Sequence, residues 1–515
     1  MGYLVSGSTL LFVSVLLCLS RVLYSIWWKP RQLQKFFKDQ GVVGPPYKLL
    51  YGSLKDNAAL IQEALSKPME FSHKILPRIS PFIHHTVETY GKVSLIWQGT
   101  QPRVIILDPE MIKEILSSKF DQFQKPISNP VTKLLATGLL DCTGEKWAKH
   151  RKILNPAFHL EKIKGMLPDF HTSCMELICK WDNLAGTQEG SCEVDVWHEF
   201  QNLTGDVISR SAFGSNYSEG SPIFKLQSEL AKLVAKAISS PYFPGLQYLP
   251  TKDNLRRKKI SNEMSAFISS IIEKKEKAMK LGKAPQGDLL SLLLKSNLKE
   301  FQKGGSSKAI TTKEVIEECK SFYFAGHVTT LILLTWTMVL LSMHPLWQNC
   351  ARDEVLQIFG KNKPEFDDLS HLKIVNMILH EVLRLYPPVI LLVRTTYKEV
   401  RVGKVTFPPG VELALPALFL HHDKELWGED AEEFNPERFI GGVSKAAKYQ
   451  TSFIPFGWGP RTCLGQNFAL IEAKLALSMI LQQFSFELSP FYVHAPSSVL
   501  TLQPQYGAQV ILHKL

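Results

Sequence analysis

The chain has few cysteines for its length. It contains eight in 515 residues, and no two of them form a C-x-x-C pair. The sequence therefore offers neither a zinc-ribbon pattern nor a tight disulfide framework. Scattered free cysteines are typical of a reduced, cytosol-facing protein. They are Cys18, Cys142, Cys174, Cys179, Cys192, Cys319, Cys350 and Cys463.

Acidic residues are also in short supply. There are 48 Asp and Glu against 59 Lys and Arg, which gives a net charge of +11. This balance suits a membrane surface, an acidic protein partner or nucleic acid. No basic-aromatic cluster or nucleic-acid motif accompanies the excess, so we predict no nucleic-acid partner. The 45% share of hydrophobic residues is enough for a large core.

No Lys or Arg precedes the first apolar run, at residues 3–28, in which Arg21 is the only charge. About 20 residues suffice to cross a bilayer as a helix. Trp27 and Trp28 stand where an interfacial aromatic belt would lie. Basic residues follow, so the positive-inside rule places the N-terminus in the lumen and the bulk of the chain in the cytosol. We predict an uncleaved single-pass anchor at 1–28, with a cleaved signal peptide as the alternative.

The rest of the chain is predicted to form a linker and one catalytic domain. Residues 29–46 are basic and rich in Pro and Gly and read as a stiff linker. Residues 47–515 would then be the catalytic domain. Within it, 93–97 and 104–107 are predicted strands of one small sheet. The sequons at Asn202 and Asn216 would never meet the lumen on this topology.

The stretch 456–465, FGWGPRTCLG, concentrates the chemistry of the chain. Cys463 lies in a Gly/Pro-rich turn before a predicted helix, where backbone N–H groups and the positive helix end favour the metal-binding thiolate. Gly459 and Gly465 would let the backbone approach a flat ligand. Arg461 suits a carboxylate. A flat, iron-bearing ligand with acidic arms is a haem; a buried structural cysteine is the alternative.

The pattern F-x-x-G-x-R-x-C-x-G is complete from Phe456 to Gly465. It resembles the haem-thiolate loop of the cytochrome P-450 superfamily. The resemblance implies that Cys463 is the axial ligand of a haem b iron. It also implies that Phe456, Gly459, Arg461 and Gly465 belong to the cofactor-binding loop.

A long helix is predicted to begin with the capping box Thr311-x-x-Glu314 and to end before Pro345. At its middle stands the sequence AGHVTT, residues 325–330. Small residues there would let a ligand lie against the backbone, and a Thr hydroxyl bonded to a preceding carbonyl could open a bulge. The resemblance implies a dioxygen-binding and catalytic role for Gly326, Thr329 and Thr330. The family has an acid where this chain has Val328, so proton delivery must take another route, through ordered water or His327.

Three further motifs gain meaning from the resemblance, and the first is W-x-x-x-R at Trp147 and Arg151. Trp147 and Arg151 lie one turn apart on a predicted helix and can reach a buried anion. The resemblance implies that they, together with Arg394, hold the haem carboxylates.

The sequences E-x-x-R at Glu381 and Arg384 and P-E-R-F at 436–439 are weak signals alone, since a Glu–Arg pair at i, i+3 is common on helices. The resemblance implies that Glu381, Arg384 and Arg438 form a buried structural triad beneath the haem.

The resemblance covers the chain after the anchor and is closest to family 72, subfamily A, of plants. Its signs include the FAG sequence at 324–326 and the closing LQPQYG at 502–507. It implies a mainly α fold with a small β-rich part, preceded by one transmembrane helix. It also implies an endoplasmic reticulum membrane enzyme that takes electrons from NADPH through a flavin reductase. The substrates of such enzymes are triterpenes, steroidal sapogenins, iridoid glucosides, gibberellins and some herbicides.

Three functions are therefore considered. The first is a monooxygenase that uses O2 to oxidise a small apolar terpenoid or steroid. The second is a haem-thiolate isomerase or dehydratase that needs no reductase, which the departure at Val328 would permit. The third is a non-enzymatic haem- or lipid-binding protein. Dependence on NADPH separates the first from the second.

Overall fold

The computed structural model describes residues 2–126, 130–135, 137–187, 189–215, 217–240, 245–281 and 287–515. Asn216 of the second sequon and residues 241–244 lie outside the described residues. The helices are α1 Gly2–Leu23, α2 Lys29–Asp39, α3 Leu54–Ser66, α4 Leu76–Ile79, α5 Pro81–Tyr90, α6 Pro109–Lys113, α7 Gly144–Leu154, α8 Leu160–Gly186, α9 Val196–Phe213, α10 Tyr217–Ile238, α11 Lys252–Lys280, α12 Leu289–Gly304, α13 Thr312–Met343, α14 Pro345–Phe359, α15 Lys373–Leu385, α16 Ala417–His421, α17 Lys424–Trp427 and α18 Gln466–Gln483.

The strands are short and form small sheets. They are β1 Val93–Gln98, β2 Gln101–Ile106, β3 Phe123–Gln124, β4 Ser191–Asp195, β5 Leu392–Thr396, β6 Val400–Val402, β7 Val405–Phe407, β8 Glu412–Leu415, β9 Phe484–Leu488, β10 Pro496–Val499, β11 Thr501–Pro504 and β12 Gln509–Lys514. The largest sheet has the order β1-β2-β8-β5-β3. The predicted pairing of the first two strands in one sheet is confirmed, as is the predicted class, mainly α with a small β-rich part.

The helix α13 is the centre of the fold. Thr311 accepts the Glu314 N–H and Glu314 accepts the Thr311 N–H, so the predicted capping box is confirmed. The helix ends at Met343, and Pro345 opens α14 because proline suits the first turn of a helix. α13 packs against α9, α15 and α18. Its C-terminal half is almost wholly buried, and Trp336 is among the largest fully buried side chains.

The N-terminal helix exposes apolar side chains. The apolar residues of α1 from Leu10 to Leu23 are exposed, which is costly in water and indicates a lipid environment. By length and composition, Thr9–Asp39 can cross a membrane, which supports membrane anchoring. Residues 29–39 of the predicted linker form the helix α2.

The reason is that α2 is amphipathic and packs on the body of the protein. Phe37 is fully buried, with its ring centroid 6.1 Å from that of Phe407. The Gly-Pro-Pro segment also packs closely, since a Cβ at Gly44 would lie 1.8 Å from the Leu95 carbonyl oxygen. The predicted linker at 29–46 is therefore helical at 29–39 and packs on the body of the protein, and its bounds stay a prediction.

Candidate active site

The loop that carries Cys463 is closed by backbone hydrogen bonds. The Cys463 N–H donates to the Phe456 carbonyl at 2.8 Å, and the Gly457 N–H donates to Ile454 at 3.0 Å. Gly457 and Gly459 have φ of +73° and +71°, a region that favours glycine. The loop leads directly into α18, so the thiol stands just before a helix N-terminus, as predicted.

The environment of the thiol acts in two directions. The Cys463 side chain is accessible, yet desolvation by its surroundings raises the pKa of the thiol. A hydrogen bond from the Gly465 backbone and the positive charge of Arg151 oppose this rise. The backbone hydrogen bond was expected from the sequence and the charge of Arg151 was not, and desolvation outweighs both. A bound metal cation would stabilise the Cys463 thiolate, because a thiol that coordinates a metal is deprotonated outright.

The glycines of the loop differ in what surrounds them within the chain. A Cβ at Gly459 would lie 2.1 Å from the Leu116 carbonyl oxygen, so this glycine allows the loop to pack on the helical segment Glu114–Ser118. A Cβ at Gly465 would meet only Phe158, at 3.9 Å, and its φ is ordinary. The packing on Leu116 is a requirement for Gly459 that the sequence did not reveal, and the approach of both glycines to a flat ligand stays a prediction.

The predicted carboxylate-binding residues come together beside this loop. The Arg461 guanidinium lies over the Trp147 ring, 4.6 Å from its centroid. Arg461 also donates to the Cys142 carbonyl at 2.9 Å, and Arg151 donates to the Thr462 carbonyl at 2.9 Å. Arg394 lies near Arg461. Desolvation, followed by the positive charge of Arg461, lowers the pKa of Arg394 to about 10.

We call Arg151, Arg394 and Arg461 the cation cluster. None of the three forms an ion pair with a carboxylate in the part of the chain that the structure describes. Arg394 is only 6% exposed. Buried cations are normally paired, since desolvating an uncompensated charge is costly. The cluster therefore fits an anionic ligand, and the two carboxylates of a haem beside the Cys463 thiol meet this need.

The middle of α13 is an unbroken α-helix. The Thr329 hydroxyl donates to the Ala325 carbonyl at 2.6 Å, as predicted, but no bulge opens there. The Thr329 hydroxyl donates to the Ala325 carbonyl in addition to the regular backbone hydrogen bonds of the helix, and it breaks none of them. The predicted bulge is therefore wrong. The side chains of Ala325, Val328 and Thr329 are half-buried within a mostly buried helix, so this face borders accessible space.

Two residues of this stretch face the neighbouring helices. A Cβ at Gly326 would lie 2.7 Å from Ile208 Cδ1, so glycine is needed for the close packing of α13 on α9. His327 Nε2 lies 3.1 Å from the Gln201 carbonyl oxygen, and the ring contacts Phe224. Burial lowers the pKa of His327 to about 4. A neutral imidazole held in this way is a poor proton donor to the opposite face.

Glu472 of α18 is a titratable residue that sequence reasoning missed. It is 1% exposed, and burial raises its pKa well above the ordinary value. The Thr330 hydroxyl approaches it and partly offsets this rise, although the two groups do not reach regular hydrogen-bond geometry. No motif marks Glu472, and a glutamate in an otherwise apolar helix was the available signal. Burial therefore favours the protonated form of this carboxyl, which lies beside Thr330 of the AGHVTT stretch.

The predicted structural triad is assembled mainly by one ion pair. Glu381 and Arg384 are fully buried and joined by two hydrogen bonds of 2.7 Å. Arg384 also donates to the carbonyl oxygens of His421 and Glu433. Arg438 lies 3.5 Å from Glu381 without a hydrogen bond to it, and its closer partner is Asp430 at 2.5 Å. Asp430 was not anticipated, because nothing in the sequence marks it.

Comparison with known proteins shows which family the chain resembles. The family model described as cytochrome P450 matches residues 76–511. The chain is 58% identical to a cytochrome P450 of family 72, subfamily A, from Paris polyphylla over 492 residues, which are 95% of each chain. It is 51% identical to one from Arabidopsis thaliana over 495 residues, 96% of each chain. It is also 51% identical to secologanin synthase 1 of Catharanthus roseus over 509 residues, 98% of this chain and 97% of that protein.

Proposed function

The chain belongs to the cytochrome P450 family, and within it to family 72, subfamily A, of plants; on this premise we propose that it hydroxylates an apolar terpenoid or steroidal sapogenin. Membership makes it an oxidoreductase of the monooxygenase type with haem iron. The observation that carries the proposal is the cation cluster beside an accessible Cys463, which finds no carboxylate counter-ion among the residues that the structure describes. A relative named for the synthesis of secologanin supports a plant metabolite as substrate.

A haem bound through a thiolate supplies dioxygen activation and one-electron chemistry. In our proposal Cys463 would bind the haem iron, and Phe456, Gly459, Arg461 and Gly465 would form the loop around the thiolate. Arg461, Arg394, Arg151 and Trp147 would bind the two carboxylates. The ion pair of Glu381 with Arg384, supported by Arg438, would have a structural role and take no part in the reaction.

The residues of α13 would position the reactants. Thr329 would present its hydroxyl group, and Val328 would keep the adjacent surface apolar. The Thr330 hydroxyl is buried beside Glu472, so its proposed part is to connect that acid with the helix. Hydroxylation of a C–H bond by O2 consumes two electrons and two protons and releases water. A hydroxyl relays protons but does not supply them, so proton delivery needs another source. Glu472, which keeps its proton beside Thr330, and ordered water are the groups that could serve; His327 faces α9.

The partner and location follow from the anchor and the charge. We propose a single-pass protein of the endoplasmic reticulum membrane, with its catalytic domain in the cytosol. The positive net charge suits an acidic protein partner. The proposed partner is the NADPH-dependent flavin reductase of the same membrane, which would transfer the electrons one at a time.

The experiment is expression in microsomes with a plant reductase and a panel of triterpene, steroidal sapogenin and diterpene substrates. Products are detected by mass spectrometry under isotopically labelled dioxygen. We expect one labelled oxygen atom in the product, formed only when NADPH and reductase are both present. A product that forms without NADPH, or without labelled oxygen, would reject the monooxygenase reaction in favour of an isomerase or dehydratase. The Cys463→Ser variant is the control for background oxidation.

A further inference from the structure

His421 is a buried histidine between α15 and the loop at 454–465, which we call the cysteine loop. It is the last residue of the short helix α16 and is 0% exposed. Its Nε2 accepts the Ile454 N–H at 3.0 Å, and its Nδ1 lies 3.2 Å from the Arg384 carbonyl oxygen. The Arg384 guanidinium in turn donates to the His421 carbonyl at 2.8 Å. One residue therefore joins two segments that are far apart in the chain.

The two backbone partners determine which nitrogen of the His421 ring carries the proton. A backbone N–H can only donate, so Nε2 must be unprotonated to accept from Ile454. A carbonyl oxygen can only accept, so Nδ1 must carry the proton that it shares with Arg384. Burial, followed by the charges of His422 and Arg384, lowers the pKa of His421 well below its ordinary value. A neutral ring with the proton on Nδ1 agrees with both the contacts and the charges.

Ile454 is the residue at which the hydrogen bonds of the cysteine loop begin. Its carbonyl accepts from the Gly457 N–H, and the Cys463 N–H then donates to the Phe456 carbonyl. Ile454 is only 1% exposed, and a buried backbone N–H that lacks a partner is costly. Removing the imidazole would leave the Ile454 N–H without its acceptor. The start of the loop would then have to open far enough to admit water.

We propose that His421 is the positioning residue through which α15 fixes the cysteine loop. Glu381 orients Arg384 by two hydrogen bonds. Arg384 and His421 are joined by two more, and His421 binds the first N–H of the loop. The buried ion pair would thus set the position of Cys463 through this imidazole. The effect on Cys463 as a haem ligand rests on the proposed function, whereas the hold on the loop does not.

The neighbourhood of His421 offers a matched control. Its ring packs against Phe453, with centroids 5.3 Å apart. The ring of His380, which is also buried, lies 6.1 Å from the same phenylalanine. However, His380 Nδ1 bonds to the Asn376 carbonyl within its own helix. A change to phenylalanine at either position alters the packing on Phe453, but only the change at His421 removes a bond to the loop.

The test compares full-length wild type, as purified, with His421→Phe, His421→Gln and His380→Phe. The first measurement is hydrogen–deuterium exchange of the backbone amides at 453–465, with the amides of α8 as an internal reference. We expect exchange at 453–465 to be about tenfold faster in His421→Phe, with α8 unchanged, because a buried N–H loses its acceptor. His421→Gln should fall between the two, since its amide oxygen can accept from Ile454. His380→Phe should match wild type at 453–465.

The second measurement follows the long-wavelength carbon monoxide band of the reduced, haem-loaded protein over time at one temperature. This band reports the bond between the thiolate and the iron. We expect it to decline about tenfold faster in His421→Phe than in wild type, and at the wild-type rate in His380→Phe. General loosening of the fold would affect both variants and would also speed exchange in α8.

A third measurement uses wild type, so the test survives if His421→Phe folds poorly. Nitrogen NMR of protein labelled at its histidine rings should show His421 with the proton on Nδ1 at neutral pH; its signals are those that His421→Gln lacks. The proposal is overturned if Nε2 carries the proton, or if exchange at 453–465 is the same in His421→Phe and His380→Phe. It is also overturned if His421→Phe speeds exchange in α8 to the same extent. Failure to find any oxidised product would reject the proposed reaction and leave the exchange result standing.

Discussion

The buried acid Glu472 allows a signed prediction of how stability depends on pH. Its side chain is 1% exposed and burial raises its pKa well above the ordinary value. The unfolded chain releases this proton near pH 4.3, the approximate value for a free glutamate. Above that pH the folded chain must keep a proton that the unfolded chain has lost. Folding then takes up a proton, and the free energy of unfolding falls as pH rises, until the raised pKa is reached.

The magnitude follows from the linkage relation. A difference of one bound proton changes the free energy of unfolding by about 1.4 kcal/mol per pH unit. Glu472→Gln has nearly the shape of the protonated acid but cannot ionise. The free energy of unfolding of the variant, relative to that of wild type, should therefore rise by up to about 1.4 kcal/mol for each pH unit between pH 6 and 8. This holds for as long as the folded carboxyl of wild type stays protonated.

The assay is chemical denaturation of the purified full-length protein in detergent at pH 6, 7 and 8. Glu145→Gln, at an exposed position of α7, is the matched control, and its difference from wild type should stay within about 0.5 kcal/mol throughout. The reasoning is refuted if the difference between Glu472→Gln and wild type is the same at all three pH values. It is also refuted if the variant loses stability relative to wild type as pH rises.

Three further predictions concern other parts of the molecule. Glu381→Gln leaves the Arg384 charge buried without a carboxylate and should lower the free energy of unfolding by about 3–5 kcal/mol. The measurement is the shift of the chemical denaturation midpoint, and a decrease below about 1 kcal/mol would contradict this. Val328→Glu should raise the product formed per NADPH consumed, and Thr329→Ala should lower it and release more peroxide; the reverse order would place proton delivery elsewhere. Removing residues 1–28 should shift much of the protein from the membrane to the soluble fraction with its haem spectrum intact, and unchanged membrane association would reject the anchor.

The sequence predicted most where a motif fixes local geometry. The capping box at Thr311 and Glu314 determines where α13 begins, and proline at 345 determines where the next helix starts. The pairing of Glu381 with Arg384 needs only an i, i+3 spacing. These features depend on residues close in the chain, so the printed sequence contains the information.

Features that depend on tertiary packing were harder to predict. Gly326 and Gly459 read as ligand-facing glycines, but their neighbours are Ile208 and Leu116, which are distant in the chain. The helix at 29–39 appears because Phe37 finds a buried site against Phe407, which the basic composition of the segment conceals. Asp430, the closer partner of Arg438, likewise depends on how two irregular segments meet.

The central claim is that the Cys463 thiolate binds the haem iron. The most direct measurement is the absorbance spectrum of the reduced, carbon monoxide-bound protein, for wild type and Cys463→Ser, expressed with the same haem supply. We expect the long-wavelength band that marks a thiolate ligand in wild type. We expect its loss in the variant, because a serine hydroxyl does not replace the thiolate. The same long-wavelength band in Cys463→Ser would show that another residue binds the iron, and the account would be wrong.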